Sequence, residues 1–379
     1  MLRVRRSSTA RRTLERLLAP ADVTVGGGRP WDLVVHDERV YERVLAQGAF
    51  GFGASYIDGW WDAEAVDELV ARLLRSGTDD VVVDWRTRML LAEVRLRNLQ
   101  TTRRARQVAI AHYDLGNELF RHMLGPTMNY SCGYWREASD LDAAQTAKME
   151  LICRKIGLRA GDRVLDIGCG WGGFARHAAE RHGCSVVGIT VSEPQAEWAR
   201  AATRGLDVTI LQLDYRAPLL GRDGPFDKIV SVGMFEHVGR KNHATFIDVA
   251  RRLLKDEGLL LLHTIGNDHS STDEWVNRHL FPNGQLPSSS DLTRAFQRRL
   301  VLEDWHSFGA DYDRTLMAWH ANFERYAATP AFAESRRFYR TWRYYLLSFA
   351  GCFRSGTRNQ LWQLVLSKRG VPGGYRSLR

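Results

Sequence analysis

The chain has 379 residues, 44% of them hydrophobic and 26% charged, with a formal net charge of +9. That length accommodates one large domain plus a smaller one, and the excess of positive charge favours an anionic partner, a nucleic acid or an anionic membrane surface. Five cysteines (Cys132, Cys153, Cys169, Cys184, Cys352) with no Cys-x-x-Cys pair argue against a disulfide frame or a zinc site and predict free thiols in a reducing compartment.

The start, Met1-Leu2-Arg3-Val4-Arg5-Arg6, lacks the apolar core of a secretory signal, and no apolar run is long enough to span a bilayer. A lipid substrate would be reached from the water side. Residues 1–19 interleave arginines with leucines, either a basic amphipathic helix for anionic headgroups or a solvated start. Residues 20–75 read as a compact small domain: a strand over Trp31–Val35, a short helix over Tyr41–Ala46, and a helix over Asp67–Leu74. Between them, Gly48 to Trp61 alternates glycines with aromatics, which suggests a bent apolar surface. The tryptophan pair there suits a core or interface, or a groove facing lipid. A turn at 76–80 leads into a long helical stretch carrying Arg95, Arg97, Arg103, Arg104 and Arg106, a solvated face or a phosphate-holding one.

From His112 to Trp135, polar, aromatic and thiol side chains are interleaved as in a lid or entry segment. A helix over 145–157 precedes Val164-Leu165-Asp166-Ile167-Gly168-Cys169-Gly170-Trp171-Gly172-Gly173-Phe174, an apolar run ending in a glycine turn and a helix start. Such a turn lets a ligand lie on bare backbone at a helix N-terminus, although a tight strand–helix turn alone has the same composition. Predicted strands at 163–167, 185–190, 208–213, 227–232 and 258–264 alternate with helices at 173–182, 193–204 and 242–254. This is the pattern of a parallel sheet covered on both faces, with ligands at the strand carboxyl ends. Residues 267–350 interrupt it with a loop at 281–285, a helix from Asp311 and an aromatic stripe at 339–349, core packing by default and an acyl-chain wall as the alternative. Gln360–Ser367 is a final strand.

The strand ends discriminate between cofactors. A dinucleotide site places a carboxylate after the second strand. Here that strand ends Gly188-Ile189-Thr190-Val191-Ser192-Glu193-Pro194-Gln195, where Thr190 and Gln195 can bond ribose hydroxyls, and Asp214 after the third can accept from an adenine amine. With Met234-Phe235-Glu236-His237-Val238-Gly239 after the fourth strand, the set resembles a class I S-adenosylmethionine (SAM)-dependent methyltransferase, with a Rossmann-like α/β sheet, a helical lid or insert and a small N-terminal α+β domain. Tyr130-Ser131-Cys132, His263-Thr264-Ile265-Gly266, Gly309-Ala310-Asp311-Tyr312 and Gly351-Cys352-Phe353-Arg354 narrow the resemblance to the cyclopropane-fatty-acyl-phospholipid and mycolic acid cyclopropane synthase family. Ala54 to Trp61 resembles the extra N-terminal domain of its bacterial phospholipid branch.

The resemblance implies a membrane-associated domain over 1–90, a linker helix over 91–111 and a catalytic domain over 112–379, with the acyl-chain pocket in the 267–350 insert. It implies SAM bound by Tyr130, Ser131, Asp166, Gly168, Gly170, Trp171, Thr190, Ser192, Gln195, Asp214, Tyr215 and Val232. It implies bicarbonate held by Cys132, Glu236, His263, Tyr312 and the backbone of Ile265, with Cys352 in the pocket wall. The implied reaction converts cis double bonds of unsaturated acyl chains in membrane phospholipids to cyclopropanes, on the inner face of the cell membrane, by a cytoplasmic homodimer bound peripherally to the anionic surface. A methyl- or methylene-branching enzyme shares the same cation. The chemistry needs a dry, aromatic-lined pocket, for which Tyr134, Trp135, Phe235 and the 339–349 stripe are suited. No metal is expected from the His and Cys spacing. No nucleic acid is expected either, because Gly233-Met234-Phe235-Glu236 stands where exocyclic-amine methyltransferases carry an Asn/Asp-Pro-Pro-aromatic tetrad.

Overall fold

The structure, a computed structural model, describes residues 2–78, 116–268, 272–357 and 359–379. The predicted linker helix at 91–111 with its arginines, and His112 to Leu115 of the entry segment, lie outside them. Two compact units form. The first draws on Met1–Arg97, Asp273–Leu280 and Tyr312–Asn359, and the second on Asn98–Thr272, Phe281–Asp311 and Gln360–Arg379. The 267–350 stretch is therefore shared between them.

In the first unit, Leu2–Leu18 is helical. The expected strand at 31–35 shortens to β1, Val34–Val35, which pairs antiparallel with β2, Trp61–Asp62. The expected short helix instead runs from Arg39 to Ile57, breaking at Gly48, so the glycine–aromatic stretch is mostly helical. Its small residues leave room for large neighbours. Trp61 is fully buried, its ring 4.2 Å from that of Phe52 and its indole N–H donating to Phe52 O and Ser55 Oγ. The Arg336–Ser355 helix brings Tyr344 against Tyr56 and Trp275 at ring distances of 5.2 and 4.8 Å. Trp342, Tyr344 and Tyr345 are all buried. These three rings of the stripe pack as core, the ordinary fate of large apolar rings at helical spacing, while Tyr339 and Phe349 are half-buried. Buried Arg340 donates to Tyr56 O, in the last turn of the Arg39–Ile57 helix, at 2.6 Å and to Trp61 O on β2 at 2.9 Å, tying the two elements together.

The second unit is built on a seven-stranded sheet of order β5-β4-β3-β6-β7-β9-β8. Its strands are β3 Arg163–Ile167, β4 Ser185–Thr190, β5 Val208–Gln212, β6 Phe226–Val232, β7 Leu254–Gly266, β8 Val301–Ser307 and β9 Gln360–Ser367. β3 to β7 are parallel, and β9 runs antiparallel to β7 and β8. Alternate residues enter two different cores: Leu165, Ile229 and Leu260 one, Val164, Val230 and Leu261 the other. Both faces are therefore covered, as predicted for a parallel α/β sheet. The sheet contains one strand not predicted, β8. Its sequence carries Glu303, Asp304 and His306, and it forms the edge, with Val301 and Leu302 exposed. The strand order reverses at β3, where β4 lies on one side and β6 on the other, and such a switch point opens a crevice at the carboxyl ends.

Candidate active site

β3 delivers the chain into the glycine turn. Gly168 sits at φ +86°, and a Cβ there would lie 2.7 Å from the Met234 side chain. The amides of Gly168 and Cys169 both donate to Ile189 O at 2.9 Å, pinning the turn to β4. The Gly173–His182 helix then starts with its free N–H groups and positive dipole end toward the turn. Cys169 packs among Ala196, Ala199 and Ile210.

One cavity lies over this turn and the carboxyl ends of β3 to β6. Its lining includes all twelve residues expected around the cofactor: Tyr130, Ser131, Asp166, Gly168, Gly170, Trp171, Thr190, Ser192, Gln195, Asp214, Tyr215 and Val232. Several are held in place before any ligand arrives. The Thr190 hydroxyl donates to Gln195 Oε1 at 2.8 Å, and Ser192 caps the Glu193–Ala202 helix by accepting from Gln195 N. The Arg216 guanidinium grips both oxygens of Asp214 at 2.7 Å. These oxygens keep further lone pairs, so the pair can still accept from an amine. The Trp171 indole donates to Asn117 Oδ1 at 2.8 Å. Asp166 is buried with Oδ2 lacking a hydrogen-bond partner, and burial pushes its pKa up. Nearby Lys148, also buried, donates to Ser131 Oγ at 2.8 Å, and burial pushes its pKa down. A glycine floor, an unpaired buried acceptor and hydroxyl, amide and carboxylate groups at successive strand ends fit an adenosyl ligand with a cationic centre.

Beyond β6, a second group gathers at β7. Glu236 is buried, and its Oε1 accepts from Ile265 N at 2.6 Å while Oε2 has no partner. Burial raises its pKa to about 7. The Ile265 N–H is thus already engaged by Glu236. His263, two residues back on the same strand, is fully buried, and burial pushes its pKa well down, so it is neutral. The amide of Gln363 lies 3.2 Å from His263 Nδ1 and, with its nitrogen as assigned, donates to it. That leaves the imidazole proton on Nε2, an atom with no partner. Phe308 packs edge-on against both His263 and Tyr134, at 5.8 and 5.4 Å. The Cys132 thiol is buried and donates to Gly133 O at 3.1 Å. Trp135 N donates to Asp311 Oδ2 at 2.7 Å. Phe235, expected to face a cation, instead packs into the core on His243 and Phe246 at 4.4 and 5.2 Å. The 3-10 turn over Phe235–His237 turns neighbouring side chains in different directions, and the largest apolar one goes inward.

Tyr312 and Cys352 belong to the first unit. Tyr312, on the Ala310–Ala327 helix, is buried with its ring 4.7 Å from that of Phe353. Cys352 is half-buried on the Arg336–Ser355 helix. Three polar groups were missed from the sequence: Lys148, Arg216 and His237, the last lining the cavity with its pKa lowered to about 4 by burial. For Lys148 a signal existed. Leu141, Ala144, Gln145, Lys148, Ile152 and Lys155 form one buried helical stripe, and a lysine inside such a stripe needs a polar partner.

Residues 100–364 match the family model described as mycolic acid cyclopropane synthetase. A cyclopropane-fatty-acyl-phospholipid synthase of Escherichia coli strain K12 is 47% identical over 97% of this chain and 96% of its own. A probable fatty acid methyltransferase of Pseudomonas putida is 38% identical over 70% of each chain. Among solved structures, mycolic acid cyclopropane synthase CmaA1 complexed with SAH and CTAB superposes with a TM-score of 0.63 at 30% identity, covering 69% of this chain and 98% of that one.

Proposed function

The chain belongs to the mycolic acid cyclopropane synthetase family and is a SAM-dependent transferase, and from that premise we propose that it converts cis double bonds of unsaturated phospholipid acyl chains into cyclopropanes. The observation that carries this reading is the buried group at β7: a carboxylate with a free oxygen and a neutral histidine with a free N–H, beside a cleft suited to an adenosyl ligand.

When bound, SAM would supply an electrophilic methyl group for the alkene, with S-adenosylhomocysteine as the leaving group. Methyl transfer leaves a cation on the acyl chain, and ring closure needs a proton taken from the new methyl. Bicarbonate is the base in this proposal. His263 would donate from Nε2 to the anion and Glu236 would share a proton with it; Tyr312 is assigned to the anion by the family resemblance alone. Ile265 acts through Glu236, whose carboxylate its amide orients. Cys132 would join this group, again by the family resemblance. Tyr134 and Phe308 exclude water and offer ring faces to the cation, which a water molecule would quench. In the cleft, Thr190 and Gln195 would bond the ribose and Asp214 the adenine amine, with the unpaired Asp166 oxygen a further acceptor for the ligand. The net positive charge draws the protein to an anionic membrane surface, on the inner face of which we place it as a peripheral homodimer; among the described residues no helix is long and apolar enough to cross a membrane.

The similarity to the Pseudomonas putida protein supports a second reading, in which a 1,2-hydride shift precedes loss of the methyl proton and gives a methylene branch, or the proton is lost from the chain carbon instead and a methyl-branched alkene results. Lipids from cells expressing the chain separate the two. Cyclopropane and methylene products have the same mass, so NMR of the purified fatty acids is decisive. Cyclopropane ring protons are expected. A branched product overturns the first reading, and unmodified lipid overturns both. Turnover on unsaturated phospholipid vesicles should also fall when dissolved bicarbonate is stripped; an unchanged rate overturns the anion assignment.

A further inference from the structure

Away from the cleft, a thiol, two imidazoles and a carboxylate converge on the two helices that flank β3. Glu150 and Cys153 lie one turn apart on Leu141–Lys155, a spacing that puts both on one helix face. His177 and His182 come from Gly173–His182. One donor atom from each of Cys153, His177 and His182 lies within 4.8 Å of the other two, and among the described residues no other set of three or more such side chains converges in this way. Glu150 Oε2 stands 3.1 Å from His182 Nε2 and 3.5 Å from His177 Nε2. The group is graded in depth, from Cys153 at 1% exposed to a Glu150 side chain at 43%, so it has a floor and a mouth. His177 is nine-tenths buried, and the polar atom facing its Nε2 is Glu150 Oε2, a loose 3.5 Å away.

We propose that Cys153, His177, His182 and Glu150 bind one divalent cation of the zinc class. Sulfur, two nitrogens and one carboxylate oxygen form a borderline-soft donor set that suits zinc and disfavours calcium and magnesium, which select oxygen. Zinc bonds of about 2.0–2.3 Å bring tetrahedral ligand atoms to about 3.4–3.8 Å from one another. Closing from 4.8 Å needs shifts of only about 1 Å, available by side-chain rotation at the rim, where Glu150 and His182 are partly exposed. On binding, the Cys153 S–H bond breaks, its proton passes to water, and the thiolate bonds the metal. All four positions are filled by protein, which makes the site structural rather than catalytic. It clamps the helix before β3 to the helix that starts at the glycine turn. No sequence motif shows it, because the ligands come from two helices separated by a strand and a turn.

The test uses the full chain, stripped with a chelator, dialysed and titrated with zinc chloride and, separately, cobalt(II). One equivalent of zinc should bind and raise the melting temperature, and the cobalt form should show thiolate-to-metal charge-transfer absorption. Cys153→Ser should abolish that absorption. His182→Gln, at the rim, should keep the metal-free circular dichroism and melting curve while weakening zinc binding about tenfold or more, the scale on which even outer partners of metal sites act. Binding of less than one equivalent, or zinc affinity unchanged in His182→Gln, overturns the proposal and leaves the group as a histidine–carboxylate ion pair over a packed thiol. If Cys153→Ser does not fold, His182→Gln and the cobalt spectrum of the unsubstituted chain decide.

Discussion

Glu236 shows what burial does to one carboxylate. Its ordinary pKa of 4.5 rises to about 7 because the charged form loses water, and the Ile265 amide, with smaller contributions from the Glu236 amide and the Thr264 side chain, restores only part of that loss. Folding therefore favours the protonated form. The stabilisation from this group is complete below about pH 4.5 and is lost as pH rises through 7. Glu236→Gln, which cannot ionise, should gain stability relative to the parent as pH rises, by up to about 3 kcal/mol at pH 8. Paired melting curves across that range check this, and a difference independent of pH would contradict it. In turnover, Glu236→Gln and Tyr312→Phe should each cost about 100-fold or more with S-adenosylhomocysteine affinity little changed, as expected when one preorganised contact to a reacting group is lost. Single-turnover rates beside calorimetric titration separate the two effects. At this scale the sequence was most legible where strand ends dictate position: Thr190, Gln195 and Asp214 were assigned to one cavity because parallel strands end together. Lys148 and Arg216 were not, because their partners are distant or their pairing depends on how a loop turns.

Among the elements, two close approaches set what the chain tolerates. Gly168 combines φ +86° with Met234 at 2.7 Å from where a Cβ would be. Gly168→Ala should weaken S-adenosylhomocysteine binding by about tenfold or more, since the left-handed conformation costs a non-glycine residue roughly 1–2 kcal/mol before any clash. Calorimetric titration tests it, and unchanged affinity would remove the turn from the binding site. On the Arg336–Ser355 helix, a Cβ at Gly351 would come within 2.3 Å of Asp67 O, part of the Val66–Arg75 helix. Gly351→Ala should cost about 1–3 kcal/mol by forcing the crossing apart, read as a lowered denaturation midpoint. Elements with a clean period were predicted well; β3 and the Gly173–His182 helix match residue for residue. β8 escaped because an edge strand keeps charge, and its Asp304 is satisfied by Lys155 and Arg379 from far along the chain. The Arg39–Ile57 helix escaped because its glycines and aromatics imitate a loop while tertiary packing of Trp61 and Tyr344 fixes a helix.

For the whole molecule, charge and chain path matter most. A net charge of +9 predicts binding to anionic phospholipid vesicles over zwitterionic ones. Cosedimentation should fall steeply as salt rises from about 0.15 M to 1 M, over which the screening length shrinks from about 8 Å to 3 Å; salt-independent binding would point instead to an apolar anchor. The domain plan was only partly legible from left to right, because the first unit gathers three separated stretches of sequence. That path has a consequence during synthesis. Tyr56 and Trp61 pack on Tyr344, which leaves the ribosome about 280 residues later, on the order of half a minute at ordinary elongation rates. Throughout that interval the nascent chain carries a bare aromatic face. Cells depleted of ribosome-associated chaperones should therefore lose this protein to aggregation early, from its N-terminal end, before the sheet of the second unit is complete.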